Sequence, residues 1–187
     1  AHRLLRLVGD LLFTAQVESG KFPLDARDIE LEAIITASIE TARPAADNAG
    51  IEVLNVLPDG PVMVHGDSTR LGQAVDNLVS NALKFTPRGG KVIVELSTAG
   101  SNAVITVRDT GMGIPAEELD MLFSRFFRAT TATRNAVPGV GLGLTITKAI
   151  ITAHGGAMGV SSEEGVGTEF SVTLPLPRVA AEVQPSV

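Results

Sequence analysis

The chain has 187 residues, 44% of them hydrophobic, enough to bury one core with a small appendage. A formal net charge of −6 with scattered Lys and Arg excludes a surface built for a duplex backbone. The absence of cysteine excludes disulfides and thiolate metal sites and fits a reducing cytoplasm. His2, His65 and His154 share no helical-ligand spacing, and no apolar run approaches the ~18 residues of a membrane span. The start at Ala1, without a basic segment before a short apolar one, sets the expectation of a piece of a longer protein. A membrane anchor could then lie outside it.

Residues 1 to 20 carry Leu4, Val8, Leu11 and Ala15 with Leu5 and Leu12 alongside, a heptad-like stripe that predicts a helix needing a partner. Gly20 and Pro23 end it. A helix is predicted from Leu31 to Asn48, burying Ile34, Ile35, Ile39 and Ala42, and alternating runs at 51–56 and 61–65 predict strands. Asp67 or Ser68 caps the next helix, which runs to Phe85 with Leu71, Val75, Leu78 and Ala82 as its apolar stripe. Asn77, Asn81 and Lys84 form a polar stripe on an adjacent face. Gly89-Gly90 turns into a strand from Lys91 to Thr98, and a turn at 100–102 returns through Ala103 to Asp109 as a hairpin. Residues 121–138, rich in Arg, Thr and Ala, have few regular signals, which inside a compact domain predicts a lid or disorder. A helix from Leu142 to His154 and strands at Met158 to Ser161 and Thr168 to Leu174 follow. The tail beyond Pro177 is polar and predicted to be loose. His154 precedes Gly155-Gly156 at a helix end and is expected to be structural.

Four short clusters carry the chemistry. In "DNLVSNALKFTP" (76–87), two amide side chains one turn apart with an ammonium three residues on suit a magnesium–phosphate centre, but equally a solvated helix face. In "DTGMGI" (109–114), a carboxylate at a strand end is acceptor-only and suits an exocyclic amino group such as that of adenine, while glycines let a flat ring approach the backbone. An Asx-turn with glycine punctuation gives the same residues. "GVGLGL" (139–144) fits neither a dinucleotide fingerprint, since the required third glycine is Leu144, nor a Walker loop, since Lys148 follows Thr147 inside the helix. A glycine turn opening a helix still suits an anion, because the first helical N–H groups lack partners. "GVGTEF" (165–170) completes the set.

These blocks in this order resemble the ATP-binding catalytic domain of sensor histidine kinases, in the superfamily of type II topoisomerases, mismatch-repair ATPases and heat-shock chaperones (the GHKL, or Bergerat, ATPases). The resemblance spans about Leu24 to Pro177. "RLLRLVGDLLFTAQVESGKF" further resembles the second helix of the kinases' dimerisation and phosphoacceptor hairpin. The resemblance implies a two-layer α/β sandwich, with a mixed, largely antiparallel sheet of about five strands covered on one face by three helices. It divides the chain into a partial hairpin (1–20), a catalytic ATP-binding domain (21–178) and a flexible tail (179–187).

Carried over position by position, the resemblance makes Asn81 a magnesium ligand, Asn77 its partner, Lys84 a phosphate contact and Phe85 an aromatic against the nucleotide. Asp109 becomes the adenine-amino acceptor with Gly111 and Gly113 forming the base pocket, and Gly165, Gly167 and Thr168 its far wall. Gly139, Val140, Gly141, Leu142 and Gly143 become the phosphate loop. "LFSRFFR" resembles the phenylalanine box, making Arg128 the candidate γ-phosphate cation ahead of Arg125 and Arg134, with Phe123 and Phe126 packing the lid. Three departures stand out: Ser124 for an acidic residue, Phe127 for Tyr, and Val140 for a Thr whose hydroxyl would meet phosphate. ATP-hydrolysing relatives place Glu where this chain has Asn77; an amide cannot accept a proton from water, which favours transfer to a protein nucleophile.

The resemblance thus implies Mg-ATP, a phosphoacceptor histidine hairpin, a response regulator, a homodimer in the full-length protein, and a cytoplasmic domain whose complete chain is anchored in the inner membrane or free. No His-Glu/Asp-Leu-Arg box is present, so the chain alone is expected not to phosphorylate itself, and His2 is expected to be solvated. A non-catalytic nucleotide-sensing module and a serine kinase acting on a sigma-factor regulator are the competing readings.

Overall fold

A computed structural model describes residues 24–134 and 140–177, the side chain of Arg134 excepted. The predicted hairpin helix over 1–20, Gly139 and the tail from 179 onward lie outside the described residues.

The chain opens with β1 (Arg27–Glu30) and passes directly into α1 (Leu31–Ala49). Leu31, Ile35, Ser38, Ile39 and Ala46 are buried along one helical face. The helix ends at Gly50, whose φ of +66° is the left-handed cap conformation; its N–H turns back to the Ala46 and Asp47 carbonyls. Strands β2 (Glu52–Val56) and β3 (Met63–Gly66) precede α2 (Ser68–Phe85). Asp67 caps α2 by accepting the Arg70 N–H at 3.1 Å, as its position before the apolar stripe predicts.

Strands β4 (Lys91–Ala99) and β5 (Asn102–Asp109) form the predicted hairpin. A 3-10 turn (Ala116–Met121) and a short helix α3 (Thr130–Arg134) come next, then α4 (Gly143–Ala153), β6 (Ala157–Glu163) and β7 (Gly167–Pro175). The main sheet has five strands in the order β2-β4-β5-β7-β6. Only β2–β4 is parallel; the other pairs are antiparallel.

Alternation decides which face is covered. Val92, Val94 and Leu96 of β4, Ala103, Ile105 and Val107 of β5, and Phe170, Val172 and Leu174 of β7 point into one core. Leu71, Val75, Leu78 and Val79 of α2, Ile35 and Ile39 of α1, and Ile146, Ile150 and Ile151 of α4 complete it. The residues between them on the other face are mixed: Ile93 and Val104 are half-buried, and charged side chains pair at the water as Arg108–Glu169 and Lys91–Glu52. Removing a fully buried side chain such as Leu78 should cost about 2–5 kcal/mol. The two-layer sandwich with three helices on one face is therefore the observed architecture.

One strand carries no signal in the sequence, and one expectation is corrected. The run at 61–65 forms the expected strand, β3, which pairs with β1 in a separate two-stranded ribbon, Ile29 opposite Val64. β1 has one apolar residue in four, too few for a period-two signal. The stretch from 121 is less irregular than expected, because α3 forms within it.

His154 is structural as expected, and it joins two helices. Its Nε2 accepts the Asp67 N–H at 2.9 Å and its Nδ1 donates to the Ile150 carbonyl at 2.8 Å. The carbonyl can only accept, so the single proton of the neutral ring lies on Nδ1. The end of α4 is thereby tied to the start of α2. A Cβ at Gly66 would stand 2.7 Å from the imidazole, so this contact requires glycine there.

Candidate functional site

A cleft of about 1160 Å³ opens between α2, the segment 122–132 and the start of α4. Of the sequence-predicted residues it brings together Asn77, Asn81, Lys84, Phe85, Asp109, Gly113, Arg128, Val140, Gly141, Leu142, Gly143 and Thr168. Gly111, Gly165, Gly167 and Arg125 do not line it.

Asp109 closes one end of the cleft. It is the last residue of β5 and only 6% exposed. Its Oδ1 accepts the Gly111 N–H at 2.8 Å and the Thr168 N–H at 3.3 Å, leaving Oδ2 for another partner. Burial pushes the carboxyl up to about 6, against the opposing pull of those two N–H groups.

The absent side chains are as informative as those present. A Cβ at Gly111 would lie 2.4 Å from the Phe85 carbonyl oxygen, and one at Gly113, where φ is +65°, 2.0 Å from that of Glu163. The 109–113 turn is thus threaded between the end of α2 and the β6–β7 turn, with room for backbone alone. Gly167 lies behind Asp109, its hypothetical Cβ 2.0 Å from the Asp109 carbonyl oxygen. Gly165 donates to the Met112 carbonyl at 2.8 Å. Gly111, Gly165 and Gly167 therefore shape the pocket from outside, where sequence reasoning placed them in its wall. Phe85, Ile114 and Phe170 make this end apolar.

The other end is polar. Asn77 and Asn81 are half-buried and Lys84 is exposed, all three on the cleft side of α2. A Cβ on Gly143 would come 4.0 Å from the Asn77 amide, so the start of α4 faces the amide stripe. Leu142 gives α4 no side-chain cap, and its first N–H groups remain available to an anion. Gly141 adopts φ of +77°, and a Cβ there would meet the Phe127 carbonyl at 2.5 Å. Its own carbonyl accepts the Phe126 N–H at 3.0 Å.

That bond folds the loop against "SRFFR". Phe126 sits at φ of +62° and is 58% exposed, a strained backbone costing roughly 1–2 kcal/mol for a residue with a Cβ. Phe127 and Arg128 turn into the cleft, while Phe123 packs on the core with the Lys148 ammonium 4.9 Å from its ring centre.

Several functional positions escaped the sequence. Glu118 is buried and accepts the Thr130 N–H at 2.9 Å, capping α3, and the Thr131 hydroxyl reaches the Gly113 carbonyl at 3.2 Å. Leu122, Ala129 and Ala132 form a small second core with Phe85, Ile114 and Phe127. The segment 122–132 is thus docked on the apolar end of the cleft. An alternation signal could not find it, because its elements are one or two turns long. Ser162 also stood out in no motif; it does not line the cleft, and its hydroxyl lies 2.8 Å from that of Thr168, which does.

Among the described residues no group of three or more His, Asp or Glu gathers as a metal cage. Amide oxygens at Asn77, which faces a helix start, and at Asn81 in the same cleft fit an ion that keeps most of its waters and shares phosphate oxygens, as magnesium does.

Residues 66–178 match the family of histidine kinase-, DNA gyrase B- and HSP90-like ATPases, and the chain belongs to it. Within that family the fold is that of the catalytic ATP-binding domains of histidine kinases. The chain is 40% identical over 185 residues to histidine protein kinase DivJ of Caulobacter vibrioides, covering 97% of this chain and 31% of DivJ. It is 37% identical over 175 residues to the sensor-like histidine kinase SenX3 of Mycobacterium tuberculosis, covering 94% and 42%. The chain therefore spans a third to two fifths of the length of these relatives. Among solved structures, the mycobacterial sensor histidine kinase MprB superimposes with a TM-score of 0.73 at 35% identity, covering 80% of this chain and 98% of that one. Full-length ShkA in complex with AMPPNP superimposes with a TM-score of 0.82 at 32% identity, covering 96% and 37%.

Proposed function

We propose that this chain binds Mg-ATP and, with a phosphoacceptor hairpin, transfers the γ-phosphate to a histidine for relay to a response regulator. The observation that carries the reading is the polarity of one cleft. A buried carboxylate stands at its apolar end, and at the other the Asn77 and Asn81 amides share the cleft with an uncapped helix start, which Asn77 faces. The family and the kinases this chain resembles support the same assignment.

Asp109 Oδ2 accepts a proton of the adenine amino group, and Phe85 and Ile114 flank the ring. Asn77 and Asn81 place their amide oxygens at the phosphates, with Asn81 the ligand to magnesium, which neutralises charge on the phosphate oxygens when bound. The first N–H groups of α4 and the Lys84 ammonium hold the phosphate chain, and Arg128 serves the γ-phosphate. Val140 has no hydroxyl to add, so backbone N–H groups carry that contact. Catalysis is positioning plus charge neutralisation: the acceptor imidazole attacks the γ-phosphorus in line and ADP leaves. The amide at Asn77 offers no base to water, which disfavours hydrolysis.

In this reading residues 1–20 belong to the phosphoacceptor hairpin and 21–178 to the catalytic unit, and the full-length protein acts as a homodimer on the cytoplasmic side. No described helix is long and apolar enough to cross a membrane. The test is incubation with γ-labelled ATP: the chain alone should acquire no acid-labile phosphate, and an added hairpin bearing its histidine should. Nucleotide binding without any transfer to such hairpins would favour a non-catalytic sensing module instead.

A further inference from the structure

We infer that Ser162 is a positioning residue that locks the Thr168 hydroxyl as an acceptor, making the base end of the cleft selective for an exocyclic amino group over a ring carbonyl. This rests on the nucleotide reading above. It deepens that reading by naming what enforces the choice of base.

The inference follows from counting protons. Ser162 Oγ lies 2.8 Å from the Gly167 carbonyl oxygen, 2.9 Å from the Ile114 N–H donor, and 2.8 Å from Thr168 Oγ1. A hydroxyl has one proton and two lone pairs. The carbonyl oxygen can only accept, so the Ser162 proton is committed to Gly167. The amide N–H can only donate, so one lone pair is committed to Ile114. What remains is one lone pair, and the Thr168 hydroxyl must donate its proton to it. Ser162 is then fully satisfied and cannot exchange roles without orphaning a partner.

Thr168 is 7% exposed and lines the cleft beside Asp109, to which its N–H donates. With its only hydroxyl proton turned toward Ser162, it offers the cleft lone pairs alone. The ionised Asp109 also offers lone pairs alone. At the 6-position itself a 6-aminopurine brings two N–H donors to these acceptors, whereas a 6-oxopurine brings a carbonyl oxygen that they repel. Asp109 sets half of this preference, and Ser162 sets the other half from behind the wall. A threonine free to rotate would donate to the carbonyl oxygen and cancel its share.

The experiment measures the affinities of ATP and ITP for the full 187-residue chain by displacement of a fluorescent adenine nucleotide, in wild type and in Ser162→Ala, Ser162→Thr and Ser162→Cys. In Ser162→Ala the preference for ATP over ITP should fall about tenfold, the worth of one hydrogen bond gained and one repulsion lost. Ser162→Thr keeps the hydroxyl and should restore the wild-type ratio. Ser162→Cys, a weak acceptor, should fall between them and is the deciding variant if Ser162→Ala does not fold. A merely structural role would weaken both nucleotides by the same factor; an unchanged ratio in Ser162→Ala, or in Ser162→Cys where that variant decides, overturns the inference. Absence of adenine-nucleotide binding by the wild-type chain overturns the nucleotide reading itself, and this inference with it.

Discussion

Replacing Asp109 by Asn should stabilise the folded chain while abolishing its nucleotide affinity. The carboxyl rises from 3.8 to about 6 because it is buried at the end of β5. A carboxyl whose pKa is raised on folding holds its proton more tightly in the folded state. Its contribution to stability is therefore fully present below pH 3.8 and is lost as pH climbs to about 6. The shift of about two units corresponds to about 3 kcal/mol of penalty near neutrality. The substituted amide would keep an oxygen for the Gly111 and Thr168 N–H groups but carry no charge. Any fixed cost of the amide is independent of pH, so the informative quantity is the stability gap between variant and wild type. Urea titrations at several pH values should find that gap growing by about 2 kcal/mol between pH 4 and pH 7.5 in favour of Asn. A gap that stays flat over this range would refute the argument that burial of charge, rather than lost contacts, dominates at Asp109. ATP affinity should be lost in the variant, because an amide NH2 then faces the adenine amino group.

In the wild type, ATP affinity should itself fall as pH drops through about 6, since only the ionised carboxylate accepts, and calorimetric titration at pH 5 and 7.5 would show it. Asn81→Ala should abolish the magnesium-dependent part of ATP affinity and leave the melting temperature within about 2 °C, because the side chain is half-buried and faces the cleft. Gly113→Ala should destabilise the chain by more than about 2 kcal/mol in denaturant, since both the left-handed φ and the Glu163 carbonyl 2.0 Å from its Cβ oppose it. Glu118→Ala should loosen the lid, read as faster tryptic cleavage at Arg128, while Glu118→Gln, which keeps an acceptor for the Thr130 N–H, should cleave at the wild-type rate.

Most of the fold was legible because its elements are long and periodic. The apolar stripe of α2 and the alternation of β4, β5 and β7 emerge with the same residues buried that the spacing selects. β1 was hidden because Arg27, Asp28 and Glu30 surround its one apolar residue, and the pairing of its predicted partner β3 was not legible because a strand's sheet depends on pairing, not on its own pattern. At the cleft, Asn77, Asn81 and Asp109 were legible through the resemblance of their clusters to the family's ATP-binding blocks; taken alone, the amide stripe reads as well as a solvated helix face and Asp109 as an Asx-turn. The glycines were visible as glycines, but whether each lines a cavity or makes room behind one depends on the neighbours a Cβ would strike. Ser162 and Glu118 could not be seen at all, because an ordinary hydroxyl and an ordinary acid acquire their roles only from backbone groups far away in sequence.

The most direct test of the central claim is transfer of label from γ-labelled ATP with magnesium to a separately supplied hairpin bearing the acceptor histidine, comparing wild type with Asn81→Ala. The account predicts acid-labile, alkali-stable phosphate on the hairpin with the wild-type chain, none with the variant, and none on the chain alone. Phosphate released as free inorganic phosphate, with the supplied hairpins unlabelled, would contradict it.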